Sequence, residues 1–266
     1  MKPSTHNSIL VACAALALAA PAAQAGPLGG HTSQAEPVIG KVTRSRHVVA
    51  VTPAYDQKCQ AGGDAFSWTQ FRPAKLTKRH TFATRGSSRD TFDDGYAIAE
   101  TYRVSGKVTK SGVRGTFQVH DKWYAPDGSV DDVCDTGKVS FRISDPNVLA
   151  GKTSDGAPSV LELGSARTQI KSLLIPWTAD CKSGESMWNT ARLSGPLQAT
   201  GAFAASLTPP SFDWGDGRQA TQTEELNGHL TRSGASGTWH VQATIADAGG
   251  AQVDTCDSGI VHFALS

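Results

Sequence analysis

Gly106-Lys107-Val108-Thr109-Lys110-Ser111-Gly112 and, 122 residues later, Gly228-His229-Leu230-Thr231-Arg232-Ser233-Gly234 are one passage written twice. Each sets a Ser-Gly turn signal between stretches that read as strands. Just downstream, Thr238-Trp239-His240-Val241-Gln242-Ala243-Thr244-Ile245 alternates with period two, placing Trp239, Val241, Ala243 and Ile245 on one face. Its counterpart places Phe117, Val119 and Trp123 there, with Asp121 interrupting the pattern. Asp132-Val133-Cys134-Asp135-Thr136-Gly137 then matches Asp254-Thr255-Cys256-Asp257-Ser258-Gly259, and Val139 and Phe141 match Val261 and Phe263. Over 101–141, 15 of 41 positions are identical to those 122 residues on, so the repeated unit is a whole domain rather than a solenoid element.

The match runs without a gap over 59–143 and 181–265. With a one-residue adjustment it reaches upstream, pairing Gly30-His31-Thr32-Ser33 with Gly151-Lys152-Thr153-Ser154. Turn signals at Asp94-Gly95, Asp127-Gly128, Ser111-Gly112 and Asp216-Gly217 recur between short alternating segments, and no segment sustains a 3.6-residue period with caps. The expectation is an all-β protein: two tandem antiparallel β-sandwich or barrel domains of seven or eight strands each. Cys59 to Cys134 spans 75 residues and so does Cys181 to Cys256. Four cysteines allow three pairings, and duplication favours one internal disulfide per copy. A redox or metal role would ask for C-x-x-C or clustered Cys/His spacing, which does not occur.

Residues 1–25 read as a secretory signal peptide: Lys2, the apolar stretch from Ile9 to Ala20, and the cleavage pattern Ala23-Gln24-Ala25. The domains are then 26–148 and 149–266. Removing the leader discards Cys13 and leaves an even number of cysteines for an oxidising compartment. Of 266 residues, 25 are Lys or Arg and 24 Asp or Glu, a net charge of +1 that argues against nucleic-acid binding by bulk basicity. Beyond the leader no apolar run has the length of a membrane span.

Gly151-Lys152-Thr153-Ser154-Asp155-Gly156, Trp177-Thr178-Ala179-Asp180-Cys181, Asn227-Gly228-His229-Leu230, Ser236-Gly237-Thr238-Trp239 and Cys256-Asp257-Ser258-Gly259-Ile260-Val261-His262-Phe263 together resemble a repeated module of secreted, mostly uncharacterised proteins of actinobacteria and related bacteria. The resemblance covers nearly the whole mature chain and is weaker in the first copy, where Ala35 replaces a turn glycine. It implies an extracellular all-β protein and brings no catalytic residues with it.

Chemistry is sparse. G-x-S-x-G, H-E-x-x-H and the P-loop pattern are absent, and nothing suggests a cofactor. The histidines never coincide under the repeat shift (His120 meets Gln242, His229 meets Lys107, His262 meets Ser140), which rules out a His-dependent site shared by both copies and leaves one in a single copy open. Asp127, Asp131, Asp132 and Asp135 crowd the second cysteine of the first copy, as calcium ligands or as turn caps. The charges divide unevenly. Residues 30–148 carry 17 basic and 13 acidic residues, whereas 149–266 carry 7 and 11. Much of the excess lies in Arg72, Lys75, Lys78, Arg79, Arg85 and Arg89, a site for an anionic extracellular polymer or glycan, or else a solvated or inter-copy face. Trp214 in a loop, and secondarily Trp68, are candidates for stacking on sugar rings, while Trp177, Trp188 and Trp239 read as core. The sequence thus points to a secreted, non-catalytic binding or structural module for a cell-wall or glycan polymer. The rival is a hydrolase of an extracellular polymer, with its catalytic constellation in one copy alone.

Overall fold

The computed structural model describes residues 27–43, 47–92, 95–143, 148–196, 198, 200–215 and 217–266, with backbone alone for 213–215. The stretch 1–25, expected to be a signal peptide, lies outside the described residues. Alternation in the sequence becomes strand throughout, with no helix among the described residues. The first unit holds β1 (Leu28–Thr32), β2 (Pro37–Thr43), β3 (Val48–Cys59), β4 (Asp64–Trp68), β5 (Ala74–Lys75), β6 (Thr81–Thr91), β7 (Ala97–Thr109), β8 (Gly112–Tyr124), β9 (Val130–Asp135) and β10 (Val139–Ile143). The second holds β11 (Val148–Thr153), β12 (Pro158–Leu163), β13 (Gln169–Cys181), β14 (Ser186–Pro196), β15 (Ala202–Leu207), β16 (Phe212–Gly215), β17 (Arg218–Leu230), β18 (Ala235–Ala246) and β19 (Gln252–Leu265).

The pairings are antiparallel. The main paths run β10-β1-β2-β3-β9-β8-β7-β6 and β14-β13-β12-β11-β19-β18-β17-β15, eight strands in each. In the second unit β19 pairs β11 at its end and β13 near its start, closing a barrel. In the first unit β9 and β10 divide that task, β9 reaching β3 and β10 reaching β1 while both border β8. Inward residues alternate as the period requires: Phe117 and Val119 in one core and Trp239, Val241, Ala243 and Ile245 in the other are at most 5% exposed.

Glycines let the barrels bend under large rings. Gly106 stands opposite Gly115, and Gly228 opposite Gly237. A Cβ on Gly106 would lie 2.6 Å from the Phe82 ring, and one on Gly115 would lie 2.7 Å from Phe141 and 2.3 Å from the Ser105 carbonyl oxygen. The second unit repeats the cradle with Phe203 over Gly228 and Phe263 over Gly237. At the β1–β2 turn Ala35 adopts φ 64°, while Gly156, in the matching place of the β11–β12 turn, has φ 85°. The departure noticed in the sequence therefore puts a side chain in a left-handed conformation that glycine adopts freely.

The units meet through corresponding strands. β1 and β2 face β11 and β12, burying Ile39, Ala150, Val160 and Leu174 together, and Gly29 lies so close that a Cβ there would be 2.5 Å from Val148. Phe66 stacks on Trp188, the residue 122 positions later, at 5.8 Å and 17°. Trp188, read from sequence as core, is instead 36% exposed at this junction. Buried Glu36 accepts hydrogen bonds from Thr190 and Arg192 across it. That ion pair sets an acid of the basic unit against a base of the acidic unit, so it does not draw on the charge imbalance between them.

Candidate functional site

The repeated Asp-x-Cys-Asp-[Thr/Ser]-Gly element sits where each ring closes. Cys59 faces Cys134 and Cys181 faces Cys256 in antiparallel register, and both pairs are disulfides. Asp132 Oδ1 accepts the amides of Ala61 (3.0 Å) and Val133 (2.7 Å), and Asp254 accepts those of Ser183 (3.3 Å) and Thr255 (2.7 Å). Each ties the turn after the first cysteine to the strand bearing the second. The hydroxyls of Thr136 and Ser258 accept the amides of Val119 and Val241 at 3.0 and 2.9 Å. Asp127 caps Ser129, a hydrogen bond that lowers its pKa.

These contacts are turn chemistry of the kind weighed against calcium. Among the described residues, the groups of three metal-type ligand atoms are Cys59–Asp132–Cys134 and Cys181–Asp254–Cys256, whose sulfurs are bonded to one another. A disulfide sulfur offers no thiolate to a metal. Asp127, Asp131, Asp132 and Asp135 are not gathered into such a group.

Contrary to the expectation from the repeat shift, both units set a histidine beside the aspartate that follows the second cysteine. Asp135 accepts Gln118 Nε2 at 3.0 Å and lies 3.2 Å from His120 Nδ1. Asp257 accepts Gln242 Nε2 at 3.1 Å and lies 2.8 Å from His240 Nε2. Gln-Val-His in one unit is His-Val-Gln in the other, so both hold a Gln–His–Asp cluster with the two donors exchanged. Position-by-position matching missed this because the carboxylate needs two side-chain donors and tolerates either order. The Gln242 amide, with help from the Gly259 amide and His240, lowers the pKa of Asp257. Thr101, directly opposite His120, donates to its carbonyl oxygen at 3.3 Å rather than to its ring. Among the described residues, the ring of His120 bonds Asp135 and that of His240 bonds Asp257.

The charge imbalance acquires a location on the outward face of β6, β7, β8 and β10. Arg85 lies opposite Arg103, which lies opposite Gln118; Lys138 precedes Val139, the partner of Phe117, and so continues this row. A second row runs Lys107, Arg114, Arg142. All six cations are exposed, and neither row contains a carboxylate. Like charges directly opposed across strands destabilise a sheet. Two such contacts, Arg85–Arg103 and Lys107–Arg114, are kept here; Arg142, opposite Arg114, has an interaction partner of its own. In the second unit Glu225, His229, Ser236, Ile260 and Ala264 stand 122 residues on, and Ser206 lies opposite Glu225 as Arg85 lies opposite Arg103. A concavity of about 530 Å³ opens on this face, lined by Arg85, Arg103, Gln118 and Lys138 among others.

Of the basic residues singled out by sequence, Arg85 alone belongs to these rows. Arg89 lies over the Tyr124 ring, 4.9 Å from its centre, farther along the same strand. Arg72 follows β4, Lys75 is in β5, and Lys78 and Arg79 occupy the turn before β6. Arg103, Lys107, Arg114, Lys138 and Arg142 were missed because they form no run. The available signal was their shared parity on neighbouring strands, together with the loss of positive charge at the matched positions. Trp68 is half-buried with its edge against Phe66 at 6.2 Å. Trp214 lies in strand β16 rather than in a loop, and its side chain is outside the described residues.

Inside the first barrel, Asp121 stands directly opposite Glu100, and they are 2% and 9% exposed. Tyr55 Oη donates to Glu100 at 3.0 Å, and Thr69 Oγ1 donates to the same carboxylate. Burial pushes the Asp121 carboxyl up to about 6; the nearby Gln57 amide opposes this and the Glu100 charge adds to it. Burial, then Glu100, also holds Tyr55 well above its ordinary value. The second barrel carries Trp177, Ala179, Gln222 and Ala243 at the positions of Tyr55, Gln57, Glu100 and Asp121. No protein-family model matches this chain, and no curated protein matches it either.

Proposed function

We propose that this is a secreted, duplicated, disulfide-stapled β protein that binds an anionic extracellular polymer without transforming it. The observation that carries the reading is the pair of cationic rows on the first unit, which persist against their own repulsion and are replaced in the second. An anionic ligand would relieve that repulsion, and arginine, four of the six cations, suits planar oxyanions. The leader pattern at 1–25 and the two disulfides fit an oxidising extracellular compartment. Among the described residues no helix is long and apolar enough to cross a membrane.

The test is a titration of the mature chain, 26–266, with poly(glycerol phosphate), polygalacturonate and uncharged dextran at low salt. Binding to at least one polyanion, weakening steadily as salt rises, is expected, with none to dextran. Replacing Arg85, Arg103, Arg114 and Arg142 by serine should remove it, and K75S/K78S/R79S should not. Absence of binding to both polyanions, or undiminished binding by the four-serine variant, would overturn the proposal.

A further inference from the structure

The two cationic rows are parallel walls with a neutral floor between them. Both cross the strands, and Ala83, Ser105, Thr116 and Ser140 form the row between, each opposite the next. Successive rows on one face are two residues apart, about 6.7 Å, so the walls stand about 13 Å apart at the backbone. The floor residues are small and outward-facing, and the concavity of about 530 Å³ lies over Ala83, Ser105 and Thr116. Neighbouring strands lie about 4.8 Å apart, so Arg85 and Arg103 in one wall, and Lys107, Arg114 and Arg142 in the other, follow at that spacing, while Gln118 separates Arg103 from Lys138.

We propose that the ligand is an unbranched, narrow polyanion bearing one oxyanion per repeat, and that its backbone crosses the strands along this floor with oxyanions reaching alternately to both walls. This rests on the polyanion reading above and adds the shape and direction of the bound chain. A bulky or branched polymer would not seat between the walls, and a diffuse positive surface would not need a floor free of large side chains. Arg103 is held for this purpose: its Nη2 donates to Gln118 Oε1, while Gln118 Nε2 donates to Asp135, so the guanidinium is steered from the rear of the cluster.

Floor-filling substitutions test the clamp without altering charge. S105W and T116W place a large ring between the walls, with A83W on edge strand β6 as a third variant should a central one fail to fold. Circular dichroism and a non-reducing mass map would verify fold and disulfides. With poly(glycerol phosphate) or polygalacturonate at fixed salt, folded floor variants should bind at least tenfold more weakly than wild type. Preference for the first polymer assigns a phosphodiester chain, and preference for the second a polyuronate; both support the clamp. Wild-type affinity in the folded floor variants, alongside loss in the four-serine variant, would overturn the clamp and leave polyanion binding standing. Failure of the wild type to bind either polymer would overturn both.

Discussion

Asp121→Asn should make the first barrel more stable at neutral pH and change its response to acid. Asp121 is 2% exposed, opposite Glu100 on β7 and Cys134 on β9, and burial raises its carboxyl from 3.8 to about 6. A raised native pKa means that the folded state holds the proton more tightly than the unfolded chain. The associated stability is fully present below about pH 4 and is lost as pH rises through 6. A difference of about two units corresponds to ~3 kcal/mol, an upper bound because water and neighbouring dipoles adjust to the charge. The amide keeps the shape and cannot ionise. The difference in unfolding free energy, variant minus wild type, should therefore rise by about 2 kcal/mol between pH 4.5 and pH 7.5, the remainder having been lost already at pH 4.5, above the unfolded value of 3.8. Urea titrations of the disulfide-intact protein, followed by tryptophan fluorescence at both pH values, supply that double difference. Glu36 and Glu224, also raised by burial, titrate in both proteins and cancel. A difference independent of pH would show that Asp121 is not the buried acid described and sink the argument.

Other consequences follow from packing and chain geometry. Gly115→Ala drives a methyl to 2.3 Å from the Ser105 carbonyl oxygen and 2.7 Å from Phe141, and should cost several kcal/mol. Gly195→Ala, with open space around it and no positive φ, should stay within about 0.5 kcal/mol of wild type; thermal melts compare the two. Removing the Cys181–Cys256 bridge as a double alanine variant should cost about 4 kcal/mol, because the 75-residue separation sets the loop entropy released to the unfolded chain. Equal denaturation midpoints for the bridged and double-alanine proteins would contradict this. Ala35→Gly relieves the φ 64° turn and should stabilise by about 0.5–1 kcal/mol in urea titrations, despite the added freedom of the unfolded chain.

Period-two alternation, the turns and the equal 75-residue cysteine spacing are legible along the chain, because they depend on residues near one another or on a comparison of the chain with itself. An all-β architecture with one bridge per unit follows from them, as does the anomaly at Ala35. Whatever depends on which strands become neighbours emerges with the folded structure. It set Arg85 beside Arg103 and Lys107 beside Arg114, and moved the basic face away from most of the run 72–89. It turned Asp121, an apparent lapse in alternation, into a buried acid opposite Glu100. It also stacked Trp188 on Phe66 at the junction and gave His240 the place of Gln118 beside an aspartate. The physical reason is the same in each case. Alternation along a strand fixes which face a side chain takes, whereas register across strands fixes its companions, and register is set by ring closure far away in the chain.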